Sequence, residues 1–324
     1  MIGEVVKLDR KFPLVTLTDG SRLRCEHATT LKKHGTERAV IGDIVDVELP
    51  CGHDVGVITN IRPRTTTFVR KDPTERMLPQ VLAANFDIVL VVQPADSLNL
   101  KRLERELVLA HETGASVAVV LTKADLLGDE RHAANAAERV RDLAGSEVPV
   151  LVMAKGDEAS VERVRSLIGS GTAVLIGRSG VGKSTMVNIL LGTDVRATSE
   201  VRANDGKGRH KTVSREIVQL PATTGATDEA AAAQPGRIVD MPGVRGLGLW
   251  DADEGIAGAF ADIEELSASC RFRDCRHASE PGCAVRAAVE AGQLAPSRLE
   301  SYQALQQELS KNNRRRQQSA WKNK

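Results

Sequence analysis

Residues 172–185 have the sequence TAVLIGRSGVGKST, in which a short apolar strand leads into a glycine-rich turn and then a helix. The turn fits the pattern Gly-x-x-x-x-Gly-Lys-Ser, whose glycines allow backbone N–H groups to point toward phosphates. Lys183 is expected to reach the β- and γ-phosphates and Ser184 to bind Mg²⁺, while the helix N-terminus faces the anion. The predicted phosphate-binding residues are Gly177, Arg178, Ser179, Gly180, Val181, Gly182, Lys183, Ser184 and Thr185.

Strands and helices alternate around this loop. Apolar strands are predicted at 87–92, 116–121, 149–153 and 172–176, and helices at 131–143 and 159–167, with a further helix closed by Gly114. Continuously apolar strands of this kind are buried on both faces of a parallel sheet. The pattern therefore predicts a doubly wound α/β domain.

The base-selecting residues are predicted directly after the strand at 116–121. Thr122, Lys123 and Asp125 occupy an Asn-Lys-x-Asp guanine motif in which Thr122 replaces Asn. The Asp125 carboxylate accepts hydrogen bonds from guanine N1 and N2, which adenine does not offer, so an ATPase is disfavoured. Because Thr makes fewer hydrogen bonds than Asn, a weaker affinity for guanine is expected. Ala154 and Lys155 follow the next strand, where a backbone amide can meet guanine O6.

The magnesium and catalytic residues are predicted downstream of the loop. Asp240 ends an apolar strand in an Asp-x-x-Gly segment, so it is expected to hold Mg²⁺ through water while the Gly243 N–H senses the γ-phosphate. Val244 stands where many GTPases have a water-orienting Gln. His210 is the candidate to position the water and Thr212 the candidate Mg²⁺ ligand, although a surface histidine without function is the alternative.

The order of these motifs is unusual. In ordinary GTPases the phosphate loop comes first and the base motif last, whereas here Thr122 and Ala154 precede Gly177. The domain is therefore predicted to be circularly permuted. As a consequence, the chain leaves Asp240 and Gly243 directly for the C-terminal module, so movement of that switch can be passed on to whatever the module touches.

A metal site is predicted in the C-terminal region from the spacing Cys-x4-Cys-x-His-x5-Cys. Three thiolates and an imidazole suit a closed, tetrahedral, structural zinc site, with a redox pair or inert cysteines as the alternatives. Its predicted ligands are Cys270, Cys275, His277 and Cys283. The chain has five cysteines, an odd number, which argues against a disulfide framework and for a reducing, cytoplasmic compartment.

The first 60-odd residues show short strands separated by turns, which predicts a small all-β barrel. The expected domains are the barrel at 1–70, the nucleotide domain at 71–250 and the metal module at 251–324. No apolar run approaches the ~18 residues of a membrane span, and no secretory leader is visible. From Ala268 onward, 11 Lys and Arg face 5 Asp and Glu, which suggests a polyanionic partner or simply a solvated basic tail.

On these residues the chain resembles the small-ribosomal-subunit-dependent GTPases of the RsgA (YjeQ) type. The resemblance covers nearly the whole chain and includes the permuted motif order, the Gly-Arg-His segment ending at His210 and the string CRHASEPGCAV at 275–285. It implies an OB-like barrel and a mostly helical zinc-binding module beside the permuted GTPase domain. It also implies a cytoplasmic enzyme that binds GTP and GDP, is stimulated by the 30S subunit late in its assembly and contacts rRNA.

The resemblance further implies that His210 positions the attacking water. The chain departs from the family where a run of threonines is replaced by Lys211–Thr212–Val213 and in the longer loop at 221–236. The alternative function is therefore a nucleotide-gated RNA-binding or chaperone module with negligible turnover. No DNA or membrane partner is expected, and a monomer is the default because no symmetric interface is evident.

Overall fold

The computed structural model describes residues 1–8, 12–29, 31, 38–71, 79–192, 215–221, 235–240 and 252–322. Within these ranges eleven strands form one sheet, and a separate two-stranded hairpin stands beside it. Among the described helices, none combines the length and apolarity required to traverse a bilayer.

Five strands at the N-terminus close into a barrel. They are β1 (Ile2–Leu8), β2 (Pro13–Leu17), β3 (Arg22–His27), β4 (Ile44–Glu48) and β5 (Gly56–Ile61). Their order is β1-β2-β3-β5-β4, and β4 pairs back onto β1 to close the ring. Alternate residues point inward, as a half-buried strand requires, so that Val5, Val15 and Ile58 form a small core. The barrel predicted from the turn pattern is confirmed.

The nucleotide domain is built on a mainly parallel sheet. Its strands are β8 (Ile88–Pro94), β9 (Ser116–Thr122), β10 (Val150–Val152), β11 (Thr172–Ile176), β12 (Arg215–Gln219) and β13 (Arg237–Asp240). The order β10-β9-β8-β11-β13 is parallel throughout, and β12 is antiparallel at the end. The helices among them are α1 (Leu100–His111), α2 (Glu130–Ala144), α3 (Glu158–Ile168) and α4 (Lys183–Leu190). The doubly wound, permuted arrangement is confirmed.

The barrel and the nucleotide domain share one continuous sheet. Strand β1 pairs antiparallel with β12, with Lys7 opposite Glu216. The two side chains form an ion pair of 2.7 Å, and Arg237 on β13 pairs with Glu4 on β1. The hairpin of β6 (Thr67–Lys71) and β7 (Pro79–Ala84) forms the separate sheet.

The C-terminal region is helical and packs on α1. It contains α5 (Asp253–Ala259), α6 (Ala261–Ser267), α7 (Ala284–Glu290) and α8 (Pro296–Lys322). Gly255 lies so close to α1 that an added Cβ would approach the Val108 carbonyl oxygen to 2.2 Å, and its N–H donates to Glu112. Arg105 on α1 forms a two-pronged ion pair with Glu308 on α8. Helix α1 therefore joins the sheet to the C-terminal module.

Candidate functional site: a phosphate loop, a base cleft and a metal cluster

The predicted nucleotide-binding residues meet at the carboxyl edge of the parallel strands. The phosphate loop follows β11, the base motif follows β9, and Ala154 and Lys155 come just after β10. Strand β13 runs parallel to β11 with Val239 opposite Val174, which brings the backbone of Asp240 to the same edge. Ligands of open α/β sheets bind at this edge, because loops from several strands converge there.

Glycines determine the shape of the phosphate loop. Gly177 has φ of 142°, and a Cβ at this position would lie 2.5 Å from the Val92 carbonyl oxygen of the neighbouring strand. Gly182 has φ of 102° and immediately precedes α4. No side chain among the described residues caps the N-terminus of α4, so its first N–H groups remain available to an anion.

Lys183 is folded back onto its own loop. Its ammonium group donates to the carbonyl oxygens of Gly177 and Arg178, the latter at 2.9 Å. Burial lowers the pKa of Lys183, and the nearby Glu106 carboxylate opposes that change. The bonds hold the ammonium group at the mouth of the loop, where nucleotide phosphates would replace the carbonyls as its partners.

An open cleft lies beside the loop. Its lining residues include the predicted base and phosphate residues Thr122, Lys123, Asp125, Lys155, Gly182 and Thr185. Met153, Met186 and Ile189 supply an apolar floor on which a flat aromatic base can lie. The structure therefore brings base-motif and phosphate-loop residues from three separate segments of the chain into one cavity.

Lys123 and Asp125 are oriented by a short turn. Lys123 adopts a left-handed conformation with φ of 60°, and a single 3₁₀ turn at Ala124–Leu126 follows it. The exposed Asp125 carboxylate accepts a hydrogen bond of 3.2 Å from the Lys155 N–H, which joins the two base segments. The Ala154 N–H donates to the Ser160 hydroxyl at 3.3 Å, and Ala154 does not line the cleft. The backbone N–H groups of Ala154 and Lys155, predicted to meet guanine, thus donate hydrogen bonds to other residues of the protein in this structure.

Thr122 is buried and contacts the phosphate loop. Its side chain hydroxyl donates to the Val181 carbonyl oxygen at 2.5 Å and lies 3.3 Å from the Gln93 carbonyl oxygen. The sequence predicts Thr122 as a weakened contact to guanine, whereas in the structure its hydroxyl joins the base motif to the loop.

The predicted switch residues are only partly covered. His210, Thr212 and Gly243 lie outside the described residues, and for Asp240 the structure describes the backbone. Ser184, the predicted hydroxyl ligand for Mg²⁺, stands exposed in the first turn of α4, and Thr185, predicted to bind phosphate, is exposed beside it. The assignment of Ser184, Thr212 and Asp240 to magnesium and of His210 and Gly243 to catalysis stays a prediction.

The four predicted metal ligands form a compact cluster. The donor atoms of Cys270, Cys275, His277 and Cys283 all lie within 4.8 Å of one another. Cys270 Sγ lies 4.0 Å from Cys283 Sγ and 3.7 Å from His277 Nδ1, and the latter lies 3.4 Å from Cys283 Sγ. A tetrahedral site with metal–sulfur bonds of about 2.3 Å has S···S edges of about 3.8 Å and S···N edges of about 3.6 Å. The cluster can therefore hold a metal ion.

The loop that carries His277 is held by hydrogen bonds between its backbone N–H groups and the Glu280 side chain. Glu280 accepts hydrogen bonds from the N–H groups of Arg276, Ala278 and Ser279 at 2.9–3.2 Å. The N–H of Glu280 itself, together with these three N–H groups, lowers the pKa of Glu280 to about 2. Gln303 on α8 donates to the His277 carbonyl oxygen at 2.8 Å. Hydrogen bonds to residues that are not themselves ligands therefore hold the His277 loop in place, as in well-ordered metal sites.

Two buried polar residues near the phosphate loop belong to none of the motifs predicted from the sequence. Gln93 ends the otherwise apolar run of β8, and Glu106 interrupts the apolar face of α1 between Leu103 and Leu107. Both are buried, and the Gln93 amide donates to the Glu106 carboxylate. A polar residue within an apolar pattern indicates that a polar side chain is buried. The pattern does not indicate which other side chain forms its hydrogen bond.

The chain is similar in sequence to known proteins. The family model described as RsgA GTPase matches residues 61–250. The small ribosomal subunit biogenesis GTPase RsgA of Streptomyces avermitilis is 40% identical over 309 residues, 95% of this chain and 79% of the relative. That of Streptomyces coelicolor is 42% identical over 307 residues, 94% of this chain and 80% of the relative.

Two solved structures resemble the fold. YjeQ from Thermotoga maritima has a TM-score of 0.67 at 22% identity, covering 95% of this chain and 98% of that one. YloQ, described as a circularly permuted GTPase, has a TM-score of 0.66 at 24% identity, covering 96% and 95%. At these identities the likeness concerns the fold.

Proposed function

The chain belongs to the RsgA GTPase family, and from that premise we propose that it hydrolyses GTP to GDP and phosphate during the biogenesis of the small ribosomal subunit. The observation that carries the proposal is the single cleft lined by Asp125, Lys123 and Gly182. A base-selecting carboxylate and phosphate-loop residues that line one cavity suit a guanine nucleotide.

In this proposal the phosphate loop binds the nucleotide before any chemistry. Lys183 exchanges the Gly177 and Arg178 carbonyls for phosphate oxygens, and the N–H groups at the start of α4 complete the cradle. Ser184, Thr212 and Asp240 are the residues that would hold Mg²⁺, which neutralises charge on the phosphates when bound. The Gly243 N–H is proposed to sense the γ-phosphate, and His210 to orient water in the absence of the usual Gln.

Guanine lies on the apolar floor of the cleft with its N1 and N2 facing Asp125. The hydrogen bond between Asp125 and the Lys155 N–H supports this arrangement, because it places the two base segments side by side before nucleotide binds. The aliphatic stem of Lys123 covers the base. Thr122 acts on the phosphate loop, and Ala154 and Lys155 offer backbone amides to guanine O6 once their internal bonds open.

The Cys3His cluster is proposed to hold one structural zinc ion. Thiolate and imidazole donors select zinc, and four protein ligands leave no open position for catalysis. Burial lowers the pKa of His277, which favours the neutral imidazole that a metal requires. The proposed domains are 1–70, 71–250 and 251–324, with the zinc module docked on α1.

The proposed partner is the small ribosomal subunit, contacted through its rRNA, with the protein acting as a cytoplasmic monomer late in assembly. Arginines beside the metal ligands, among them Arg271, Arg273 and Arg276, provide the positive charge that RNA phosphates need. Phe272 stands exposed between two of them, with the guanidinium of Arg271 5.6 Å from its ring.

The test is GTP turnover by the purified protein with and without small ribosomal subunits, with ATP as the control nucleotide. A large rise that depends on the subunit and on GTP is expected, since Val244 leaves the isolated enzyme slow. His210→Ala is expected to abolish the stimulated rate while leaving GDP binding intact. Tight GTP binding with no rise would contradict the proposal and leave a nucleotide-gated RNA-binding module.

A further inference from the structure

A buried carboxylate lies behind the phosphate loop. Glu106 on α1 is 6% exposed and Gln93 at the end of β8 is 2% exposed, and the Gln93 amide donates to the Glu106 carboxylate. Strand β8 pairs directly with β11, the strand that leads into the loop. The Glu106–Gln93 pair therefore lies underneath the site that receives the nucleotide phosphates.

Two routes connect this pair with the loop. Through the backbone, the main-chain carbonyl oxygen of Gln93 lies 3.3 Å from the Thr122 hydroxyl, which donates its hydrogen bond to Val181 in the loop. Through space, the Glu106 charge acts on Lys183, whose ammonium group is held by loop carbonyls. A change of charge on Glu106 thus reaches both the backbone and the cation that bind phosphate.

The groups around Glu106 place its pKa close to neutral pH. Among the described residues, the charged groups that act on it are Lys183 from the loop and Arg102 one turn earlier on α1, while Gln93 is neutral. Burial raises the pKa of Glu106 to about 7, although the Gln93 hydrogen bond and the two cations oppose the rise. Near neutral pH, both the acid and the carboxylate are therefore populated.

We infer that Glu106 is a positioning residue that couples nucleotide affinity to a proton: its carboxylate balances Lys183 in the empty site and becomes protonated when nucleotide phosphates bind. The proton comes from solvent and is carried on a Glu106 carboxyl oxygen. Bound phosphates bring negative charge close to a buried carboxylate, and like charges favour the neutral acid. The inference rests on the proposed function only in taking a guanine nucleotide as the ligand.

The experiment is GDP binding measured by calorimetry, in buffers with different heats of ionisation, for the wild type and Glu106→Gln. At pH 7.5 the wild type is expected to take up more protons per GDP than the variant, since the nucleotide's own ionisation is common to both. From pH 6 to pH 8 the affinity of the wild type should fall about fivefold further than that of E106Q, which corresponds to roughly one unit of pKa shift on binding.

Glu104→Gln is the matched control. Glu104 lies on the same helix and is also 6% exposed, but it faces Arg298 of the C-terminal module at 3.7 Å. E104Q should therefore keep the proton uptake and pH profile of the wild type. If E106Q fails to fold, carbon-detected NMR of wild-type glutamates supplies the measurement: one carboxyl titrating near neutrality should shift upward with GDP.

The outcomes separate the inference from the proposed function. Normal GDP binding with equal proton uptake in wild type and E106Q overturns the role of Glu106 and leaves the GTPase proposal standing. An equal loss of uptake in E104Q also overturns it, because the effect would then belong to the helix. A wild type that binds no guanine nucleotide refutes the proposed function itself.

Discussion

The hydroxyl of Thr122 donates a hydrogen bond of 2.5 Å to the carbonyl oxygen of Val181, 59 residues further along the chain. One residue belongs to the base motif and the other to the phosphate loop, and Thr122 is 6% exposed. This buried hydrogen bond joins the two halves of the site. Thr122, which stands where the guanine motif has Asn, therefore links the base motif to the phosphate loop.

Thr122→Val should loosen the site. Valine has nearly the shape of threonine but no hydroxyl, so the Val181 carbonyl would lose its donor, at a cost of about 1–3 kcal/mol in the free energy of unfolding. GDP affinity should fall as well, because the loop is held less firmly. Thermal unfolding and fluorescent GDP binding measure the two effects, and Thr122→Ser, which keeps the hydroxyl, should resemble the wild type in affinity.

Asp125→Asn should change the base that is bound. Guanine offers two N–H donors to a carboxylate, whereas xanthine carries an oxygen at C2 that an asparagine amide can donate to. Since each bond to a charged acceptor contributes ~1.5–3 kcal/mol, GDP affinity should fall on the order of 10²-fold. Competition with xanthosine diphosphate should show the variant gaining that ligand. Unchanged GDP preference would mean that Asp125 does not face the base.

Cys283→Ser should remove the metal. The wild type is expected to carry one zinc per chain by elemental analysis, and the variant well below that. Zinc binding contributes on the order of 10 kcal/mol in small zinc-dependent domains, so the 270–283 loop should lose its structure. GDP binding should persist, because no residue of the 270–283 loop is among those lining the nucleotide cleft. Cys51→Ser is the control, since Cys51 is exposed on the barrel and lies outside the cluster.

Glu106→Gln should stabilise the nucleotide-free protein at alkaline pH. Folding raises the pKa of Glu106 from 4.5 to about 7, so the wild type loses stability as pH rises through that range, while glutamine stays neutral. The variant should be more stable by up to ~3 kcal/mol at pH 8 and by less than ~1 kcal/mol at pH 5. Urea unfolding at the two pH values measures the difference, and a gap independent of pH would contradict it.

Short-range patterns in the sequence determined much of this protein. Three patterns involve only residues that are close together along the chain: the Gly-x-x-x-x-Gly-Lys-Ser turn, the spacing of the cysteines and histidine, and the alternation of apolar residues in the strands. For that reason the permuted α/β domain, the barrel and the Cys3His cluster were all predicted, and the structure agrees with each. The base motif was recognised in the same way, from Lys123 and Asp125.

Only the tertiary structure decided which distant residues meet. The partner of Thr122 is Val181, that of Glu106 is Gln93, and β1 of the barrel continues the nucleotide sheet through β12. A periodic pattern states which face of a strand or helix is buried, but not which element covers it. Glu106 illustrates the reason: its burial and its charged neighbours arise when α1 packs beside the phosphate loop, and no local pattern contains that information.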